Sequence, residues 1–140
     1  MAMWNPWRGC KKCSDGCLHC YIHKGDSKRN VDTSFKDLPI KHKCITAQPL
    51  LEKVDIEKYL DNIELVVVGG ESDINARAFN YDWALDIREQ CIRKNVNFEF
   101  RQCGTYTIKD AKQYKIQTKD LCKQAKLANI DYKSNRKITI

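Results

Sequence analysis

"ELVVVGGES", residues 64–72, decides how the rest of the chain is read. Leu65, Val66, Val67 and Val68 run straight into Gly69–Gly70. A continuous, mostly β-branched run closed by glycine is the pattern of a strand buried on both faces, as in parallel sheets. Downstream, "YDWALDIREQCIRKN" (81–95) sets Trp83, Ala84, Ile87 and Cys91 on one side of an amphipathic helix. "VNFEFRQCG" (96–104) reads as a further strand. Upstream, "KCITAQPL" (43–50) is a short apolar run ending at Pro49, and "VDIEKYLDN" (54–62) predicts a helix capped by Asp55, with Ile56, Tyr59 and Leu60 at helical spacing. "TKDLCKQAKLANI" (118–130) predicts a last helix capped by Thr118. Strand and helix thus alternate over residues 43–128, and the economical arrangement is a parallel sheet with helical crossovers. Functional side chains gather at the C-terminal ends of strands in such sheets. Here those ends are Gln48–Pro49, Gly69–Ser72 and Arg101–Gly104.

The length of 140 residues is that of one domain, divided into a cysteine-rich loop (1–22), a connecting segment (23–42) and βα units (43–133). No run of about 18 apolar residues occurs, so no membrane span is expected. The N-terminal "MAMWNPWRGC" lacks the apolar stretch of a signal peptide. The expected location is therefore the cytoplasm, where thiols stay reduced and clustered cysteines point to metal or redox chemistry rather than disulfides. The net charge of +7 is uneven. Residues 1–43 hold nine Lys/Arg against four Asp/Glu, residues 44–103 seven against eleven, and residues 104–140 nine against three. Basic ends attract nucleic-acid phosphates, or simply form a solvated Lys-rich surface.

The chemistry-bearing stretch is "GCKKCSDGCLHCY" (9–21), four of the chain's eight cysteines in a loop-like segment. Its spacing is Cys10-x2-Cys13-x3-Cys17-x2-Cys20. Thiolates are soft ligands suited to zinc or to iron–sulfur clusters. Four could close a tetrahedral zinc site. Zinc knuckles usually stand farther apart, whereas Cys13-x3-Cys17-x2-Cys20 has the spacing of the three ligands that hold a [4Fe–4S] cluster in radical S-adenosylmethionine (SAM) enzymes. His19 and His23 stand beside the cluster as alternative ligands or as exposed side chains. Cys91 and Cys122 fit buried helix faces, and Cys103 sits at a strand end near the expected rim.

Taken together, "MWNPWRGCKKCSDGCLHCY", "VVVGGESDINAR", "YDWALDIREQCIRKNVNFEFRQCGT" and "AKLANIDY" resemble the phage-associated three-Cys-motif proteins. The resemblance covers residues 3–22 and about 38–133. It implies a radical-SAM-like protein built on a TIM-type barrel. In the family pattern the three cysteines correspond to Cys10, Cys17 and Cys20, with Cys13 an extra thiol, so two triads are open. The resemblance also implies that Gly69, Gly70, Glu71 and Arg77 face the site. Glycines there would let a ligand approach the backbone, and Glu71 would bind an amine or a ribose hydroxyl of SAM. A full barrel needs at least about 200 residues. The expected fold is therefore α/β, a partial TIM-barrel-like parallel sheet with alternating helices and an N-terminal cysteine-rich loop. Its bare sheet edges would need a loop, a host or phage partner protein or a second copy in a homodimer to cover them.

Two functions follow. In the first, a [4Fe–4S] cluster on three of Cys10, Cys13, Cys17 and Cys20 cleaves SAM, acting on nucleic acid or a partner protein. In the second, the cysteines hold zinc or another metal as a staple in a non-catalytic binding protein, such as a phage inhibitor of a host nucleic-acid-targeting defence. "KDAKQYKIQTKDLCKQAK" (109–126) interleaves Lys109, Lys112, Lys115, Lys119, Lys123 and Lys126 with Tyr114. Read as a helix face, these lysines are solvated; with the aromatic among them they suit RNA or a single strand.

Overall fold

The computed structural model describes residues 2–4 and 41–136. It is a mixed α/β fold around a four-stranded sheet of β1 (Ala2–Trp4), β2 (Lys43–Ala47), β3 (Leu65–Gly69) and β5 (Asn97–Gln102), in the order β1-β2-β3-β5. Every pairing in it is parallel. A smaller sheet joins β4 (Phe79–Asn80), β6 (Tyr106–Lys109) and β7 (Lys112–Lys115). The helices are α1 (Tyr81–Arg93) and α2 (Leu121–Ala128). The expected parallel α/β sheet is present. No closed barrel exists among the described residues, and no helix there is long and apolar enough to cross a membrane.

The valine run does what its composition demands. Val66, Val67 and Val68 are at most 1% exposed, so β3 is covered on both faces. One face sends Val66 and Val68, with Ile45, Phe98 and Phe100, into the main core against Ala84, Ile87 and Cys91 of α1. Asn80 caps that helix, its side-chain oxygen accepting from the Asp82 N–H at 2.9 Å.

Four sequence expectations are corrected. Residues 54–62 form no α-helix. Asp55 does accept from the Glu57 N–H, but Glu57–Tyr59 is a single 3-10 turn. Asn62, at φ 65°, turns the chain away before a second turn can nucleate. Ile56 and Leu60 are buried as the spacing requires, while Tyr59 faces water. Likewise Thr118 does not cap the last helix. It opens a 3-10 turn, Thr118–Asp120, and α2 begins at Leu121, which leaves Cys122 exposed. Residues 2–4 are not loop but a parallel edge strand, with Ala2 opposite Lys43 and Trp4 opposite Ile45. Finally, the lysine-rich stretch is not one helix. Its first part is the antiparallel hairpin β6–β7, Tyr106 facing Lys115 and Lys109 facing Lys112. The hairpin turns on Asp110 (φ 52°) and Ala111 (φ 61°), the left-handed pair that a two-residue turn requires.

The edge of β5 is sealed by the chain itself. Phe98 and Tyr132 exchange both backbone bonds, the Phe98 N–H to the Tyr132 carbonyl at 2.8 Å and the Tyr132 N–H to the Phe98 carbonyl at 2.9 Å. The Phe100 N–H donates to Asp131 Oδ1 and the Ser134 N–H to Asn97 Oδ1. Covering the donors of an edge strand in this way removes a template for intermolecular pairing.

Candidate functional site

The strand ends singled out from sequence do converge. Gly69, at the end of β3, accepts from the Leu50 N–H through its carbonyl at 2.9 Å, just beyond Gln48–Pro49. Gly70 and Gln102 are bonded twice: the Gly70 N–H donates to the Gln102 carbonyl at 3.1 Å, and Gln102 Nε2 donates to the Gly70 carbonyl at 2.8 Å. The β3–β5 register shifts here, Val68 pairing Phe100 but Gly69 pairing Gln102. Arg101 is the extra residue of a bulge, a device that re-aims side chains at the end of a strand. It stays exposed, with Nε 3.3 Å from Glu99 Oε1.

Both glycines are crowded by the chain's own atoms. A Cβ on Gly69 would stand 2.9 Å from Gln48 Cδ and 3.2 Å from Gln102 Cγ. A Cβ on Gly70 would stand 2.3 Å from the Gly104 nitrogen and 2.4 Å from its Cα. The close approach at Gly70 is thus backbone on backbone. Gly104 in turn is held by Thr107, whose hydroxyl accepts from the Gly104 N–H at 3.1 Å and donates to its carbonyl at 2.9 Å.

Glu71 and Arg77 are brought together as a pair. Glu71 Oε2 accepts from the Arg77 backbone N–H (2.8 Å) and Nε (3.2 Å), and Oε1 accepts from a terminal guanidinium nitrogen at 3.2 Å. A carboxylate offers about four acceptor sites. Three are filled, so Glu71 has little left for a ligand's amine while Arg77 holds it. Its backbone carbonyl also accepts from the Thr105 N–H at 2.9 Å, which ties the hairpin to the rim.

Cys10, Cys13, Cys17 and Cys20 lie outside the described residues, as do His19 and His23. Among the described residues no group of three or more His, Cys, Asp or Glu is placed to hold a metal ion. A family model described as "Protein of unknown function (DUF5131)" matches residues 23–131. The chain belongs to this family. No curated protein and no solved structure matches it. The DUF5131 match takes in every element from β2 to α2 and begins after the four clustered cysteines.

Three of the four described thiols of this DUF5131 chain are buried. Cys44, Cys91 and Cys103 are buried and Cys122 is exposed. Burial pushes the Cys91 thiol up to about 12. Burial, assisted by the charge of Cys122 and opposed by Lys109, pushes Cys103 up to about 11. Once unfolded, both ionise at the ordinary value near 9.0. Below that pH both states keep their protons and the thiols leave stability unchanged. Above it the unfolded chain sheds protons that the folded chain retains. Stability therefore falls as pH rises from 9 towards 11, by up to about 1.4 kcal/mol per pH unit for each thiol. Urea melts between pH 8 and 11 are expected to show this slope, and C91A to reduce it. A slope unchanged in that variant would refute the assignment.

One buried polar residue behind the site was not singled out from sequence. Gln90 reads as part of the polar face of α1 but is 3% exposed. Its position three residues after Ile87 on the apolar stripe is the signal that could have found it.

Proposed function

We propose that the chain carries a cysteine-ligated iron–sulfur centre of the radical-SAM-like kind, set at the C-terminal rim of its parallel sheet. One observation carries this reading. β1 runs parallel to β2, so the chain leaves Trp4 towards the end of the sheet where Gly69 and Gln102 stand, and Cys10 follows six residues later. That direction supports a cysteine-bound centre at the rim, where α/β proteins bind ligands. The donor set fits: three of Cys10, Cys13, Cys17 and Cys20 suffice for a [4Fe–4S] cluster, and thiolates are its natural ligands. Bound there, such a cluster would supply the electron for reductive cleavage of SAM. The protein's own contribution would be a rigid floor. The Gly70–Gln102 bonds and the Gly70–Gly104 contact fix the strand ends, and the Glu71–Arg77 pair presents a neutralised polar wall. The sheet would then be a shortened relative of a TIM-type barrel.

The reading is tested by purifying the chain without oxygen and counting metals. About four irons per chain with brown visible absorption, and deoxyadenosine released from SAM on reduction, are the expected results. Serine at Cys17 and Cys20 is expected to abolish both. One zinc and no colour would establish the metal-stapled binding protein instead. That second reading is favoured by the sealed β5 edge, because a sheet that closes its own edge has no need of further barrel strands.

A further inference from the structure

Beside the rim, and reaching Cys103 and Thr107, hairpin β6–β7 and α2 flank an open cavity of about 510 Å³. This lies within the ~300–1,000 Å³ range of ligand pockets. Aromatic rings form part of its wall: Tyr81, Phe100 and Tyr114. Phe100 is held in a stack on Phe79 at 5.7 Å and against Tyr81 at 6.0 Å, so that part of the wall is preformed. Tyr114 and Leu127 also line it, and they remain 48% and 67% exposed. The fold thus leaves two large apolar side chains wet at the same opening, which marks a binding surface more than a solvated one.

The opening is basic. Lys109 and Lys115 line it, and among the described residues neither has a carboxylate within ion-pair distance. Lys109 Nζ lies 5.0 Å from the centre of the Tyr81 ring, and Lys115 Nζ 6.0 Å from that of Tyr106. Asp110 is the acidic residue in the lining. Lys112 is exposed on the same hairpin, Lys119 in the turn before α2, and Lys123 and Lys126 on α2. Gln124, an exposed side chain of the wall, carries both a donor and an acceptor. Lysines on an edge strand such as β7 also discourage aggregation. That accounts for Lys112 and Lys115 but leaves the aromatic cavity and Leu127 unexplained.

The geometry points to a binding site for single-stranded nucleic acid: an unpaired base enters the cavity between the hairpin and α2, against Tyr114, while Lys109 and Lys115 hold the flanking phosphates. Aromatic faces stack bases with little regard to sequence, and lysines track the backbone. The lysines beyond the mouth favour a strand over a free nucleotide, since one mononucleotide cannot reach them all. A duplex is disfavoured because its bases are already stacked and paired. This inference stands on the cavity and not on the metal centre.

The test is fluorescence anisotropy of the full chain with labelled mixed-sequence 12-mers of single-stranded RNA and DNA, the matching duplex, and unlabelled AMP as competitor. Single strands are expected to bind at low salt and the duplex at least tenfold more weakly. Y114A is expected to weaken binding about tenfold, and K109Q and K115Q each to lower the slope of log K against log salt by about 0.7. All three side chains are exposed, so thermal melts should show folding unchanged. Metal content, measured on the same samples, separates failure here from failure of the iron–sulfur reading. Absence of single-strand binding, or binding indifferent to Y114A, would overturn the proposal. So would a duplex bound as tightly as a strand, or AMP bound as tightly as the 12-mers.

Discussion

Replacing Gly70 by alanine is expected to cost at least about 3 kcal/mol, above the ~1–3 kcal/mol usual for overpacking. The added methyl would meet the nitrogen and Cα of Gly104 at 2.3 and 2.4 Å, and main-chain atoms cannot rotate away. Gly104 cannot retreat either. Thr107 holds both its N–H and its carbonyl, and Phe79 packs closely enough that a Cβ on Gly104 would lie 2.9 Å from the Phe79 Cβ. Relief must come from parting β3 from the loop after β5, which breaks the paired bonds between Gly70 and Gln102. Against a typical total of about 5–15 kcal/mol, this is a large fraction of stability. G69A is the control. Its methyl meets the side chains of Gln48 and Gln102, which can swing aside, so a cost of about 1 kcal/mol is expected. Urea midpoints of the two variants are the measurement, and equal losses would sink the backbone-contact account.

Gln90→Leu is the second large effect, a loss of about 2–4 kcal/mol despite the similar size of the two side chains. Gln90 Oε1 accepts from the Ile56 N–H at 2.8 Å, and Nε2 donates to the Val54 carbonyl at 3.0 Å and to Asp86 Oδ2 at 2.9 Å. One amide thus satisfies both polar groups of the segment that crosses from β2 to β3. That segment has a 3-10 turn where a helix would otherwise satisfy its own backbone. Leucine leaves the buried Ile56 N–H and the partly buried Val54 carbonyl unpaired, a buried group costing about 1–3 kcal/mol. Hydrogen exchange distinguishes this from general loosening. The Ile56 amide should lose protection in Q90L while Val66–Val68 keep theirs. Uniform loss across β3 would show that the variant merely lowers global stability.

The rim and the cavity differ in how legible they were. The rim was placed from strand ends alone, because strand periodicity is local and ligand sites in parallel sheets follow strand direction. The cavity was half seen: Lys109, Lys115 and Tyr114 were singled out, but on a helix. The hairpin hid for two reasons. Its turn is Asp110–Ala111 rather than the Asn-Gly or Asp-Gly that announces a two-residue turn. And every residue of β7 is exposed, so its sequence, Lys-Gln-Tyr-Lys, shows no alternation.

What the sequence determined by itself is the parallel core. The run Leu65–Val68, the stripe Ala84–Ile87–Cys91 and the strand 97–102 are periodic signals within single elements, and burial of apolar surface enforces them wherever the neighbours lie. The cysteine spacing, too, is a purely local fact. Tertiary structure alone decided the rest, because each remaining feature is a pairing between segments distant in sequence. β1 is a strand only because Lys43–Ile45 offers its edge. Gly70 must be glycine because Gly104 occupies the space a methyl would need. Gln90 turns inward because the crossover at Val54–Ile56 lacks partners of its own. Glu71 is committed to Arg77 because the loop after β3 folds back on itself. Hydrogen bonds and steric contacts act over about 3 Å in space without regard to sequence separation, so no pattern within a single segment encodes them.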